Sequence, residues 1–351
     1  MEISSELGQP AAEFVVAGGE YNDEIKFQNN DAIISILENV TLNGRIYIDR
    51  NSKIFIQSDD NTKQLTINSE ASRPFQAIEN SVLRVDVPLI CNTNNAESCF
   101  VTHRNSLVSF TSTVTFNVSG TTSNILFVER DSYVFFGGLV TVSGNGKSAY
   151  VGSFRDSKAR FNGGLTVNAN ICYRFIMAYH SFIEFDASDV SVNLIGGSNY
   201  SSSFEIIHDS HIWITQNITS FSIYVQQLRA NGSIWITSDS TVRIDGSACN
   251  LSLSVGSGSF SSFINPRENS DFTVACKSMT LTGTVGSGSI VVDFMSTVYI
   301  GAGVTIPTNT VTGRRFQMAG VSEIWTAGAG ENRLPGTEAG YKYPNHYTLY
   351  R

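Results

Sequence analysis

Charge and proline are both scarce in this chain: 15% of its 351 residues are charged and seven are proline. The 23 Lys and Arg are outnumbered by 31 Asp and Glu, for a formal net charge of −8. Without a basic field to attract phosphate backbones, nucleic acid is not an expected partner. No apolar run approaches the roughly 20 residues that span a bilayer, so no membrane insertion is expected. The opening MEISSELGQP lacks both the basic start and the apolar stretch of a secretory leader. The five cysteines, Cys91, Cys99, Cys172, Cys249 and Cys276, are scattered without CxxC or Cys/His spacing. They read as small buried thiols, suited to assembly in a reducing cytoplasm, and no metal or cofactor is expected.

What remains is rich in Ser, Thr, Asn, Gly, Val, Ile and Phe. Strand formers mixed with turn formers predict an all-β chain, and 41% hydrophobic residues exclude a disordered one.

A repeat runs from end to end: an apolar strand, a polar residue followed by Ser, then a second apolar strand. Its clearest copies are FVTHRNSLVSF from Phe100, LFVERDSYVFF from Leu126, FIMAYHSFIEF from Phe175 and FEIIHDSHIWI from Phe204. With the Ser as register mark, the copies fall at Ser52, Ser81, Ser106, Ser132, Ser157, Ser181, Ser210, Gly232 in the same slot, Ser270, Ser296 and Ser322. Intervals of about 22 to 29 residues dominate, and one of about 38 before Ser270 implies an insertion near Ser254.

Two positions after the mark every residue is apolar, as in Ile54, Val108, Val134 and Ile212. Four positions after it the same holds, as in Phe110, Phe136, Phe161 and Phe185, with Thr326 the one exception. The position between is mixed, with Phe55, Arg84, Arg160, Glu184, Trp213, Trp235, Tyr299 and Trp325. Alternate residues of a strand face opposite sides, so the outer columns point to the core and the middle one points out. A third strand follows in most copies, for instance VTFNV from Val114. Three short strands per repeat of about 25 residues, in about eleven repeats, predict a right-handed parallel β-helix with one coil per repeat. The Asn/Asp residues before the mark, such as Asn80, Asn105, Asp131 and Asn231, are expected to satisfy turn backbone and stack between coils.

Residues 1–40 carry no clear copy and are expected to form a cap or attachment segment, residues 41–326 the β-helix, and residues 327–351 a closing segment or clasp. That last stretch contains Leu334-Pro335-Gly336-Thr337-Glu338-Ala339-Gly340 and four tyrosines, Tyr341, Tyr343, Tyr347 and Tyr350. The coil pattern together with this LPG segment resembles the C-terminal β-helix region of phage and prophage tail fibres and tailspikes. The resemblance implies a homotrimer, attachment to other virion tail proteins through the N-terminus, location in the virion, and recognition or depolymerisation of host surface polysaccharide.

Several residues are candidates for that chemistry. Trp213 and Trp235, read as neighbours in the outward column beside Glu184 and Arg160, would form a glycan platform, because sugars lay their C–H faces on aromatic rings. The same column would also suit a subunit interface. Glu184 and Asp186 lie two apart on one strand, a spacing that permits a glycosidase acid pair. Glu205, His208, Asp209 and His211 bring acids and histidines together one coil later. The leading expectation is a glycan-binding fibre component without catalysis. The alternatives are a polysaccharide depolymerase, with Glu184, Asp186 and Asp209 as candidate acids, and a purely structural connector.

Overall fold

The computed structural model describes residues 2–4, 12–60, 62–71, 73–94, 97–194, 202–227, 232–308, 310–327 and 333–343. Every described strand pairing is parallel, no α-helix occurs among the described residues, and the chain is a parallel β-solenoid of about eleven turns. It divides into two compact units, residues 1–170 and 171–351.

One coil of the first unit shows how the repeat folds. Phe75–Ile78 forms a first strand, Glu79 and Asn80 turn the chain, Ser81 follows, Val82–Val85 forms a second strand and Leu89–Thr93 a third. Each strand pairs with its counterparts one coil before and after: Phe75 with Ile46 and Phe100, Leu83 with Ile54 and Val108, Leu89 with Leu65 and Val114. Three faces result, called here first, second and third in chain order.

The turn between first and second strands explains the sequence mark. Both turn residues sit in the left-handed region, with φ of 56° and 62° at Glu79 and Asn80, 61° and 59° at Arg104 and Asn105, and 55° and 58° at Arg130 and Asp131. Asn and Asp tolerate this conformation better than other side chains with a Cβ. Their amides also stack, Asn80 Nδ2 donating to Asn51 Oδ1 and Asn105 Nδ2 to Asn80 Oδ1, each at 3.3 Å. The serine that follows is buried, and its hydroxyl acts twice. Ser106 Oγ donates to the His103 carbonyl at 3.0 Å and accepts from the Ser81 backbone N–H at 3.2 Å. The same link joins Ser106 to Ser132, Ser181 to Ser210 and Ser270 to Ser296.

Inside the coils the apolar columns stack as expected. The Phe110 and Phe136 rings lie 5.2 Å apart and those of Phe136 and Phe161 4.9 Å apart, both nearly parallel. On the third face of the first unit an asparagine ladder runs outward-facing from coil to coil. Asn43 Nδ2 donates to Asn22 Oδ1 at 2.8 Å, Asn68 to Asn43 at 3.0 Å, Asn92 to Asn68 at 2.8 Å and Asn117 to Asn92 at 2.8 Å.

The structure corrects the register of one coil. Gly232 does not hold the serine slot, because Gly232–Ile236 is a first-face strand in register with Ser202–Ile207 before it and Ile264–Pro266 after it. The slot belongs to Ser240, whose hydroxyl accepts from the Ser210 N–H and whose N–H donates to Ser270 Oγ, both at 3.2 Å and both 30 residues apart. Ser238 and Asp239 are the left-handed pair, with φ of 56° and 61°. The sequence NGSIWI imitates a mark followed by a second strand, whereas the true strand is Thr241–Ile244. The long interval disappears, and the irregularity near Ser254 is a register shift between Ser254 and Ser259 in the third strand.

At the N-terminal side the ladder begins before residue 41. Ala12–Val16 pairs with Asp31–Ile36, which pairs with Lys53–Gln57. Asn30 takes the serine slot there, its N–H donating to Ser52 Oγ, so the sequence shows no mark. In the second unit Tyr341–Lys342 adds a further strand beside Gln317–Met318. The LPG segment fits closely: Leu334 is buried, Gly336 has a φ of 154°, and a Cβ on Gly340 would fall 1.9 Å from the Phe316 ring. Ser289 Oγ donates to the Pro335 carbonyl at 2.6 Å, tying the segment to the coils. Tyr347 and Tyr350 lie outside the described residues.

Candidate functional site

In the second unit the middle column of the second face reads Glu184, Trp213, Arg243, Thr273, Tyr299 and Trp325, each in register with the next. Neighbouring coils put such residues about 4.8 Å apart. The strands that carry them alternate buried and open positions, which drives Ile212, Ile214, Val242 and Ile244 inward and leaves the column facing out. Trp213 is 38% exposed and Tyr299 42%. The indole is fixed rather than free: Trp213 Nε1 donates to Asp245 Oδ2 at 2.9 Å, and Arg243 Nε donates to the same oxygen at 2.6 Å. Asp245 thus orients an aromatic plane and a guanidinium together. Trp325 Nε1 is held likewise by Glu323 Oε2 at 2.7 Å. Such an arrangement offers a ring face for stacking, with Glu184 and Arg243 on either side to exchange hydrogen bonds with hydroxyls.

Only part of the predicted platform comes together. Glu184 and Trp213 are cross-strand neighbours, and Arg243 takes the place assigned to Trp235. Trp235 belongs to the first face, paired with Glu205 and Asn265, because of the register described above. Arg160 lies in the first unit, where its Nε donates to Asn162 Oδ1 at 2.8 Å.

Two of the three candidate acids, Asp186 and Asp209, sit at turns, while Glu184 lies on the second-face strand. Asp186 Oδ1 accepts from Asn217 Nδ2 at 2.7 Å and from the Thr215 hydroxyl, bracing the corner of the next coil. Asp209 and His208 are the left-handed pair before Ser210, with φ of 52° and 51°, and the Asp209 N–H donates to the Ser238 carbonyl at 3.0 Å. His208 packs its ring against Tyr179 at 4.6 Å, while His211 is exposed on the second face. Among the described residues no three His, Cys, Asp or Glu side chains are grouped to hold a metal ion. Cys91, Cys99, Cys249 and Cys276 are buried free thiols, and burial pushes Cys99 and Cys249 up to about 12.

A second set of polar residues was hidden in the sequence. Outward positions of the first face are buried, as at Gln76, Glu205 and Asn265, or half-buried, as at Trp235. Glu205 is 6% exposed and pairs with Arg174 at 2.8 Å; burial raises its carboxyl above the ordinary range against the pull of that guanidinium. Trp235 Nε1 is buried without a hydrogen-bond partner among the described residues. Asn265 accepts from Arg267, which pairs with Asp293 at 3.2 Å. In the first unit His103 occupies the equivalent face beside Glu129, and burial lowers its pKa despite that carboxylate. Strand alternation assigns these side chains to the outside, and nothing in the residue pattern signals that this outside is enclosed. Comparison with protein-family models, curated proteins and solved structures returned no match.

Proposed function

We propose that the chain is the receptor-binding subunit of a phage tail fibre or tailspike: a homotrimer of right-handed parallel β-helices that holds a host-surface polysaccharide on the second face around Trp213. The observation that carries this reading is the exposed indole fixed by Asp245 between Glu184 and Arg243. A ring that is pre-oriented loses little freedom on binding, and flanking charged groups supply hydroxyl partners. Right-handedness is supported by the strong preference of parallel crossovers for that hand. The LPG segment, with its two glycines required by geometry, supports the family resemblance. On this reading the chain is assembled in the bacterial cytoplasm and carried in the virion, with its N-terminal side toward other tail proteins.

Trimerisation is supported by exposed apolar residues at one corner of the second unit. Phe294, Met295 and Val321 are 60%, 64% and 57% exposed, and the first two form a left-handed turn pair whose first position other coils give to polar residues such as Arg104 and Glu268 and whose second they give to Asn or Asp. Bulky residues there cost about 1–2 kcal/mol each, so an exposed pair favours a partner surface. Binding without cleavage is the preferred reading because Asp186 is spent on Thr215 and Asn217. An array of bacterial surface polysaccharides tests the function: binding to at least one, without release of reducing ends, is expected. Binding to none would overturn the proposal, and reducing ends lost in Glu184→Gln would replace it by a depolymerase.

A further inference from the structure

The first unit contains a shallow, open cleft of about 650 Å³ at the corner between its third and first faces, far in sequence from Trp213. It is lined over five successive coils, chiefly by Asn43, Arg45, Asn68, Glu70, Asn92 and Ser119. Four coil intervals of about 4.8 Å give it a length of roughly 19 Å. Gly44 lets the corner pass tightly at one end, since a Cβ there would lie 2.1 Å from the Asp23 carbonyl oxygen.

The floor is the asparagine ladder. A primary amide has two N–H donors and an oxygen with two lone pairs. Asn68 and Asn92 each spend one N–H and one lone pair on the ladder itself. One donor and one acceptor are left on each of these two neighbouring amides, held rigid by the amides above and below, whereas Asn43 at the end of the ladder spends both N–H groups on Asn22 and Glu20. Charge adds little: Arg45 is neutralised by Glu24 at 2.9 Å, which leaves Glu70 as the surplus charge among the described lining residues. Among the described residues no aromatic side chain lines the cleft.

We propose that this cleft is a binding site for a neutral, hydroxyl-rich oligosaccharide of about four residues, separate from the Trp213 face. Alternating amide donors and acceptors match vicinal hydroxyls, which are each donor and acceptor, and the coil spacing is comparable with the length of one pyranose in an extended chain. The surplus carboxylate of Glu70 disfavours acidic sugars. The absence of a stacking ring makes hydrogen bonds the source of selectivity, so the site distinguishes hydroxyl patterns more than it adds affinity. The proposal stands independently of the Trp213 reading.

The test is a printed array of neutral and uronic-acid-bearing oligosaccharides of four or more residues, followed by calorimetry with the strongest neutral ligand. Wild type is expected to bind neutral over acidic members. Ala71→Trp fills the cleft from its rim without touching the ladder and should weaken binding at least tenfold with an unchanged melting temperature. Asn92→Ala should weaken it severalfold, and Trp213→Ala should leave it unchanged. No neutral ligand on the array, tighter binding of acidic ones, or full affinity in Ala71→Trp would overturn the proposal. Loss in Trp213→Ala with retention in Ala71→Trp would assign the ligand to the other face and overturn it too.

Discussion

The Ser106 hydroxyl satisfies two backbone groups at once, the Ser81 N–H of the preceding coil and the His103 carbonyl three residues earlier. Removing the Ser106 hydroxyl strands both in a buried turn. Ser106→Ala is expected to cost about 1–3 kcal/mol, read as a lowered denaturant midpoint; an unchanged midpoint would mean that the hydroxyl is dispensable. His103 makes a pH prediction. Burial holds its folded pKa below the ordinary value, so the unfolded chain binds the proton more readily. Stability is then full above the ordinary histidine value of about 6.5 and falls as pH drops from there toward the folded pKa. His103→Gln should remove that slope from midpoints measured across this range, and an equal slope in the variant would contradict the assignment.

At the scale of strands and turns, the columns two and four residues after the mark were legible because strict alternation survives in a fully buried interior. Phe110, Phe136 and Phe161 stack as their positions require. Phe136→Ala should therefore cost about 3–5 kcal/mol, measured by denaturant unfolding, through the cavity left between its two neighbours. The coil around Trp235 was misread for a physical reason. Ser233-Ile234-Trp235-Ile236 has the alternation of a second strand, and alternation alone does not say which face of a coil a strand belongs to. The local clue was Ser238-Asp239-Ser240, a left-handed pair followed by a hydroxyl, which restores even 30-residue steps. The coil that contains Asp31–Ile36 shows no mark because Asn30 replaces the serine. The buried first-face polar set of Glu205, Asn265 and His103 was not legible, since enclosure depends on how corners fold over a face. Of the predicted glycan platform, the pairing of Glu184 with Trp213 was visible in the sequence, whereas Trp235 belongs to another face. Arg243 and Asp245 entered once the register was right.

For the whole molecule, the proposed trimer predicts light scattering at about three times the 38.3 kDa chain mass. The turn formed by Phe294 and Met295 sharpens this. Met295→Asn replaces a bulky left-handed residue with one suited to that conformation, so the isolated fold should gain about 1 kcal/mol. If the corner is a subunit contact, the same variant should dissociate at higher protein concentration, and a trimer of undiminished strength would move the interface elsewhere.

The central claim is that an oriented indole on the second face holds polysaccharide, and the corrected register separates the two tryptophans for testing it. Calorimetry with the polysaccharide bound by wild type should show Trp213→Ala at least tenfold weaker, with unchanged subunit mass and melting temperature. Trp235→Ala, whose ring is half-buried beside Glu205, should instead lower the melting temperature. Undiminished polysaccharide affinity in Trp213→Ala would contradict the account.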